Sequence, residues 1–227
     1  MNDKIKIMLQ STIFKFLKEL KINNNKAWFD ANRKTYEIIK TDFSGFVQQL
    51  IIAISKFDEP IGKLSPKDCL FRINRDIRFS KDKTPYKSNM GASISKAGKK
   101  INVAGYYIHC EPGKSMAAGG FYMPSGSDLL KIRQEIDYNF EEWKKIIHHK
   151  NFKKYFPKGV DGIEYLIRPP KGYDNENAAI EFLKMKSFIV TCPLSNSDLT
   201  DKTAIKKVAA IFNEMKPMID FLNRSIE

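Results

Sequence analysis

One stretch concentrates the side chains that could do chemistry: Phe71-Arg72-Ile73-Asn74-Arg75-Asp76-Ile77-Arg78-Phe79-Ser80-Lys81-Asp82-Lys83-Thr84-Pro85-Tyr86-Lys87. A guanidinium presents a planar fork of donors that matches carboxylate or phosphate oxygens two at a time. Lys83 and Lys87 add mobile point charges, and Tyr86 an amphipathic ring with a hydroxyl. Between Arg72 and Lys100 nine basic residues stand against two acids, so more than half of the chain's net charge of +13 falls here. Period-two alternation over Leu70 to Phe79 predicts a strand with Phe71, Ile73, Ile77 and Phe79 inward and Arg72, Asn74, Asp76 and Arg78 outward. Arg75 then points inward, where a guanidinium needs a partner. Asp76, Asp82 or a helix glutamate would supply one, or a bulge near Asn74 would turn Arg75 toward the cleft its neighbours face.

Two readings of this stretch stand side by side. In one, Arg72, Arg75, Arg78, Lys83, Tyr86 and Lys87 converge on an oxyanion, a small phosphate- or carboxylate-bearing ligand. In the other, Arg72, Arg75, Arg78, Asp76 and Asp82 form a salt-bridge lattice that pins the loop to a long helix and binds nothing. A basic stretch from 72 to 100 beside tyrosines on a sheet also suits nucleic acid, through phosphate contacts and stacking.

A second cluster lies in Gly105-Tyr106-Tyr107-Ile108-His109-Cys110-Glu111. Alternation places Tyr107 and His109 on one strand face and Tyr106, Ile108 and Cys110 on the other. His109 beside Glu111 has the composition of a proton-transfer pair, and His109, Asp76 and Tyr86 are the candidate catalytic groups; a structural, hydrogen-bonded histidine is the competing reading. Cys110, facing away from His109, does not make a nucleophile. His148 and His149 are adjacent and cannot chelate as an i, i+4 pair would, and no other metal spacing occurs. Gly113-Lys114-Ser115 is too short a fragment to be a phosphate loop, while Gly119-Gly120 suits a close approach of backbone or ligand. Trp28, Phe29, Asn32 and Arg33 open a long helix, where an amide could meet the arginine stretch; a role as core and cap residues is the competing reading. No cofactor motif is present.

The arginine stretch, written RxxRDxRFxxDKxxYK, resembles the signature of an uncharacterised bacterial family, domain of unknown function 2461. FLKELKINNNKAWFDANRKTYE, GYYIHCEPGKSMAAGG, RPPKGY and the closing PMIDFLN are similar to its landmarks, over nearly the whole chain. Carried over residue by residue, the motif positions are Arg72, Arg75, Asp76, Arg78, Phe79, Asp82, Lys83, Tyr86 and Lys87, with no departure among them. The resemblance implies no activity.

The elements that must position these groups follow from periodicity. Ser11 or Thr12 caps a helix through Ile13, Phe16, Leu17 and Leu20. A long helix runs from Lys26 to about Lys56, kinked near Gly45. Period two then predicts strands over Leu70–Phe79, Gly91–Ser95, Val103–His109 and Ser115–Tyr122 in an antiparallel, meander-like sheet. Helices follow at Asp128–Ile136 and Phe140–His149, the second opened by a capping box of Asn139 and Glu142. Short strands at Tyr165–Arg168 and Phe188–Cys192 surround a helix at Asn177–Met185, and a final helical region from Ser197 or Thr200 to Asn223 is kinked or broken at Pro217. The class is α+β: a helical part over 1–57, a sheet core over 68–123 and a mixed part over 124–227, all within one domain.

The 227 residues include 16 Phe and are 42% hydrophobic, enough to bury a sizeable core. Cys69, Cys110 and Cys192 are odd in number and far apart, which signals neither a disulfide framework nor a zinc site. Met1 to Lys21 mixes Lys with apolar residues and lacks an apolar leader segment; no stretch is long and apolar enough for a membrane span, and the expectation is a cytoplasmic protein without membrane partners. Whether the chain is an enzyme is left open, since arginines alone move no protons.

Overall fold

The computed structural model describes residues 8–227; the earlier part of Met1–Lys21 lies outside them. Apolar residues at helical spacing give α1 (Thr12–Ile22), which buries Ile13, Phe14, Phe16, Leu17 and Leu20. Asn25 accepts the Trp28 N–H at 2.9 Å and caps α2 (Lys26–Ala31). At Asn32 the backbone leaves helical geometry and the side-chain amide donates to the Trp28 carbonyl at 2.9 Å; α3 (Arg33–Ile54) starts there and runs through Gly45. The expected single helix from Lys26 to Lys56 is therefore two, broken at Asn32, and the second continues as helix through Gly45.

A 3₁₀ turn (Glu59–Lys63) and α4 (Pro66–Cys69), boxed by Ser65 and Asp68, lead into the arginine stretch. Then come β1 (Met90–Ile94), β2 (Gly105–Cys110) and β3 (Ser115–Phe121). The excursion that follows holds α5 (Gly126–Tyr138), α6 (Phe140–Ile147), α7 (Lys150–Tyr155) and α8 (Ile180–Leu183), before β4 (Phe188–Leu194), α9 (Asn196–Thr200) and α10 (Ala204–Arg224). The fold is α+β: an antiparallel sheet in the order β1-β2-β3-β4, flanked by helices.

Several local expectations are corrected. Leu70–Phe79 is not a strand: only Leu70, bridged to Ala92, and Asn74, bridged to Tyr86, pair at all. Tyr165–Arg168 likewise reduces to one bridge, Tyr165 with Met185. The Asn139 side chain makes no cap; its amide donates back to Glu135 at 3.0 Å. The helix expected over Asn177–Met185 shrinks to α8, and the last helical region is two helices, of which α10 continues through Pro217.

The two faces of the sheet have different fates. Tyr106, Ile108, Cys110, Ala117, Phe121 and Val190 face α3 and α10 and are buried. Gly119 lets α10 sit close, because a Cβ there would lie 2.5 Å from the Met215 sulfur. The Tyr106 hydroxyl in this layer donates to Asp58 at 2.9 Å. The opposite face carries Gly91, Ser93, Tyr107, His109, Met116, Ala118, Ile189 and Thr191 and is roofed by loops. Each outer edge of the sheet meets a single short partner. Leu70 and Phe71 lie along β1, with the Phe71 N–H donating to the Gly91 carbonyl at 3.1 Å. Asp161 exchanges both backbone hydrogen bonds with Ile189 of β4, at 2.8 and 3.1 Å.

Candidate functional site

From Ile73 to Lys87 the chain doubles back as a narrow loop. The Lys87 N–H donates to the Ile73 carbonyl at 2.8 Å and the Arg75 N–H to the Pro85 carbonyl at 2.9 Å. The root of this loop is held from the helical side. Asn24, between α1 and α2, donates its amide to the Tyr86 carbonyl (2.9 Å) and accepts the Tyr86 N–H (3.1 Å). The Tyr86 ring is buried and stacks on Phe29 of α2, with centroids 4.0 Å apart and planes 14° off parallel. Tyr86 is thus the anchor of the loop.

Farther out, charges pair within the loop. Arg75 reaches Asp82 and, at 2.8 Å, the Thr84 hydroxyl; Asp82 also accepts the Thr84 N–H at 2.9 Å and its hydroxyl at 2.8 Å. The two Thr84 bonds and then Arg75 hold the Asp82 carboxyl down to about 2. Arg78 forks onto Asp76 through Nε (2.9 Å) and Nη2 (2.7 Å) at the solvent edge, and Lys83 donates to the Ile77 carbonyl at 3.0 Å. Of the partners expected for Arg75, Asp82 is the one used. The lattice closes on itself, and the tie to the helices runs through Asn24 and Phe29. Phe79, expected inward, is 94% exposed, and Phe71 is exposed as well; Ile73 alone of the expected inward set is buried.

Among the described residues Arg72, Lys81 and Lys87 are the cations of the loop with neither an ion pair nor a side-chain hydrogen bond, and of these Lys81 borders neither cavity that Arg72 lines. Lys87 lies 5.5 Å from the centre of the Phe71 ring, and burial, then the nearby Arg72, lowers its proton affinity. Both residues line a cavity of about 760 Å³ between the loop and the outer sheet face. Its floor is Met116, Ala118 and Ile189; its polar groups include Asn89, Tyr107, His109 and Lys100. A larger groove of about 1250 Å³ runs between α3 and the loop and shares Arg72, but two of its cations, Arg33 and Lys40, are already paired with Asp30 and Glu37.

At one side of the 760 Å³ cavity β2 and the residue that follows it align three functional groups. The Tyr107 hydroxyl is 3.0 Å from His109 Nδ1, and His109 Nε2 is 3.1 Å from Glu111 Oε2. The Asn89 amide also approaches Nδ1, at 3.3 Å. With a hydroxyl and an amide donating to Nδ1, the ring proton belongs on Nε2, facing the carboxylate. Burial, and then Glu111, pushes the Tyr107 hydroxyl up to about 12, so it stays a donor. Gly91, paired with His109 across β1 and β2, makes room: a Cβ there would lie 2.6 Å from the Tyr107 hydroxyl. Lys21 of α1 is 3.9 Å from the other Glu111 oxygen.

Alternation had placed Tyr107 and His109 together; Asn24, Asn89 and Gly91 carried no local signal, because each acts on a residue distant in sequence. Among the catalytic candidates, Asp76 is occupied by Arg78 and Tyr86 by Phe29, and only His109 faces the cavity. Cys69 and Cys110 are buried thiols, pushed up by burial, Cys69 to about 11, and Cys192 is also free. Gly113 and Lys114 lie in the β2–β3 turn, with Gly113 at φ +72, and Ser115 opens β3. His148 and His149 sit between α6 and α7. Among the described residues no group of three or more His, Cys, Asp or Glu is placed to hold a metal ion, and no helix is long and apolar enough to cross a membrane.

These features define a class: an α+β protein whose sheet is backed by helices on one face and roofed on the other by an anchored basic loop. The chain belongs to the family of conserved hypothetical proteins designated domain of unknown function 2461, whose model matches residues 12–221. No curated protein and no solved structure matches it.

Proposed function

We propose that this protein binds a small phosphate- or carboxylate-bearing ligand, in the cytoplasm, in the cavity between the 72–87 loop and the outer face of the sheet. The observation that carries this reading is the contrast within one loop. Arg75, Arg78 and Lys83 are bonded to their neighbours, whereas Arg72 and Lys87, with no ion pair of their own, face a cavity of about 760 Å³ whose lining carries no Asp or Glu. Two adjacent cations repel each other until an anion lies between them, and a concave, mostly apolar recess with a few polar groups suits a small ligand. In this reading Arg75, Arg78, Lys83 and Tyr86 hold the loop in shape, and Arg72 and Lys87 contact the ligand. The free cysteines suit a reducing compartment.

One observation favours a second reading. Phe79 stands 94% exposed with the Arg78 guanidinium 5.7 Å from its ring centre, a surface on which an unpaired nucleobase can stack. Thermal melts separate the two. Pyrophosphate, nucleoside phosphates and dicarboxylic acids are compared with short single-stranded RNA and DNA at low and moderate salt. A saturable rise with a small anion, lost in Arg72→Gln and kept in Arg78→Lys, is the expected result. A rise with polynucleotides alone, abolished by salt and by Phe79→Ala, would establish the second reading instead.

A further inference from the structure

The Tyr107–His109–Glu111 line goes beyond binding and rests on the anion reading just given. A hydroxyl (Tyr107 Oη) lies 3.0 Å from a base (His109 Nδ1), and the base is oriented from behind, at 3.1 Å, by a carboxylate (Glu111). That order of acid group, imidazole and carboxylate is what activates a hydroxyl in nucleophilic and general-base catalysis. Three details separate it from an incidental cluster. Gly91 leaves the space the hydroxyl occupies, since a Cβ would stand 2.6 Å from it. Asn89 adds a second donor to Nδ1 and so fixes the proton on Nε2, the tautomer in which Nδ1 can accept. Tyr107, His109, Asn89, Arg72 and Lys87 all border one cavity.

We propose that Tyr107, His109 and Glu111 form a general-base relay that hydrolyses a phosphoester held by Arg72 and Lys87. A phosphoester supplies in one group both a negative charge for those cations and an electrophilic centre for attack. In the step, a water oxygen bonds to phosphorus as the bond from phosphorus to the leaving oxygen breaks. The water proton passes to the Tyr107 oxygen, the Tyr107 proton passes to His109 Nδ1, and the imidazolium so formed faces the Glu111 carboxylate. The imidazolium then gives its proton up to solvent, and the leaving oxygen, across phosphorus from the attacking water, takes a proton from solvent, so that ester and water become phosphate and alcohol. Arg72 and Lys87 stabilise the equatorial oxygens as their charge rises. Tyr107 is the catalytic residue; His109 and Glu111 are positioning residues that act through it.

The test follows p-nitrophenyl phosphate and bis(p-nitrophenyl) phosphate turnover by the full chain and by Tyr107→Phe, His109→Gln and Glu111→Gln, prepared identically. Pyrophosphate thermal shifts are measured on the same samples. Turnover of at least one ester is expected, with kcat reduced roughly a hundredfold or more in Tyr107→Phe and His109→Gln, near-constant KM and retained pyrophosphate shifts. For Glu111→Gln a smaller loss of kcat with an altered pH–rate profile is expected. Absence of turnover in the unsubstituted chain, or an equal rate in Tyr107→Phe, overturns the relay. If the pyrophosphate shift persists in that case, the anion site stands alone; if it is absent too, both readings fall.

Discussion

Gly91 decides where Tyr107 can lie. Any side chain there puts a carbon 2.6 Å from the tyrosine oxygen, with ring carbons at 3.0 and 3.1 Å, so the ring must move and its bond to His109 lengthens. Gly91→Ala is expected to cost about 1–3 kcal/mol, as overpacking does, read from the urea midpoint. It should also remove the turnover assigned to Tyr107. Asp82 makes a second residue-scale prediction. Its folded carboxyl titrates near 2 against an unfolded value of about 3.9. The contribution of its bonds to Thr84 and Arg75 is therefore complete above the unfolded value and disappears as pH falls through about 2. An NMR titration of the Thr84 amide should show a midpoint near 2; a midpoint near 4 would mean that the bonds do not form in solution. Some of this was legible beforehand. Alternation put Tyr107 beside His109, and inward alternation demanded a partner for Arg75. The roles of Asn24 and Asn89 were not legible, because their bonds to Tyr86 and His109 span 62 and 20 residues and leave no periodic trace.

The arginine stretch shows how an element can carry a strand's pattern and not be one. Alternating apolar residues predict pairing over Leu70–Phe79, yet only Leu70 and Asn74 bridge. Two local competitors prevail. Asp76 and Asp82 bond to backbone N–H groups two residues on, which favours turns, and Pro85 lacks the donor that a partner strand needs. The loop then depends on its root. Asn24→Ala removes two hydrogen bonds to the Tyr86 backbone and leaves buried groups unpaired, so a loss of about 1–3 kcal/mol per group is expected in chemical denaturation. The same variant should speed amide exchange at Arg75 and Lys87, whose bonds zip the loop, and leave β2 and β3 protected. The strands from Met90 to Phe121 were legible, because short turns and strict alternation left few alternatives. The break at Asn32 was not, since the heptad-like spacing continues across it.

The molecule as a whole packs its longest helices, α3 and α10, on one side of the sheet and leaves the other side to loops. The α+β class followed from the order of periodicities, while β4, 67 residues after the end of β3, could be placed beside it only by the structure. That placement leaves β4 as an edge, and here the single bridge at Asp161 has a consequence for how copies of the chain meet. Antiparallel pairing directs the backbone groups of Ile189, Thr191 and Pro193 away from β3. Ile189 is already taken by Asp161, and proline has no N–H, so Thr191 offers the one donor left among these three positions. A fifth strand from another copy would find almost nothing to zip against. Pro193→Val restores a donor without disturbing the core, and on heating it should aggregate earlier by light scattering than the unsubstituted chain, although both unfold at similar urea concentrations.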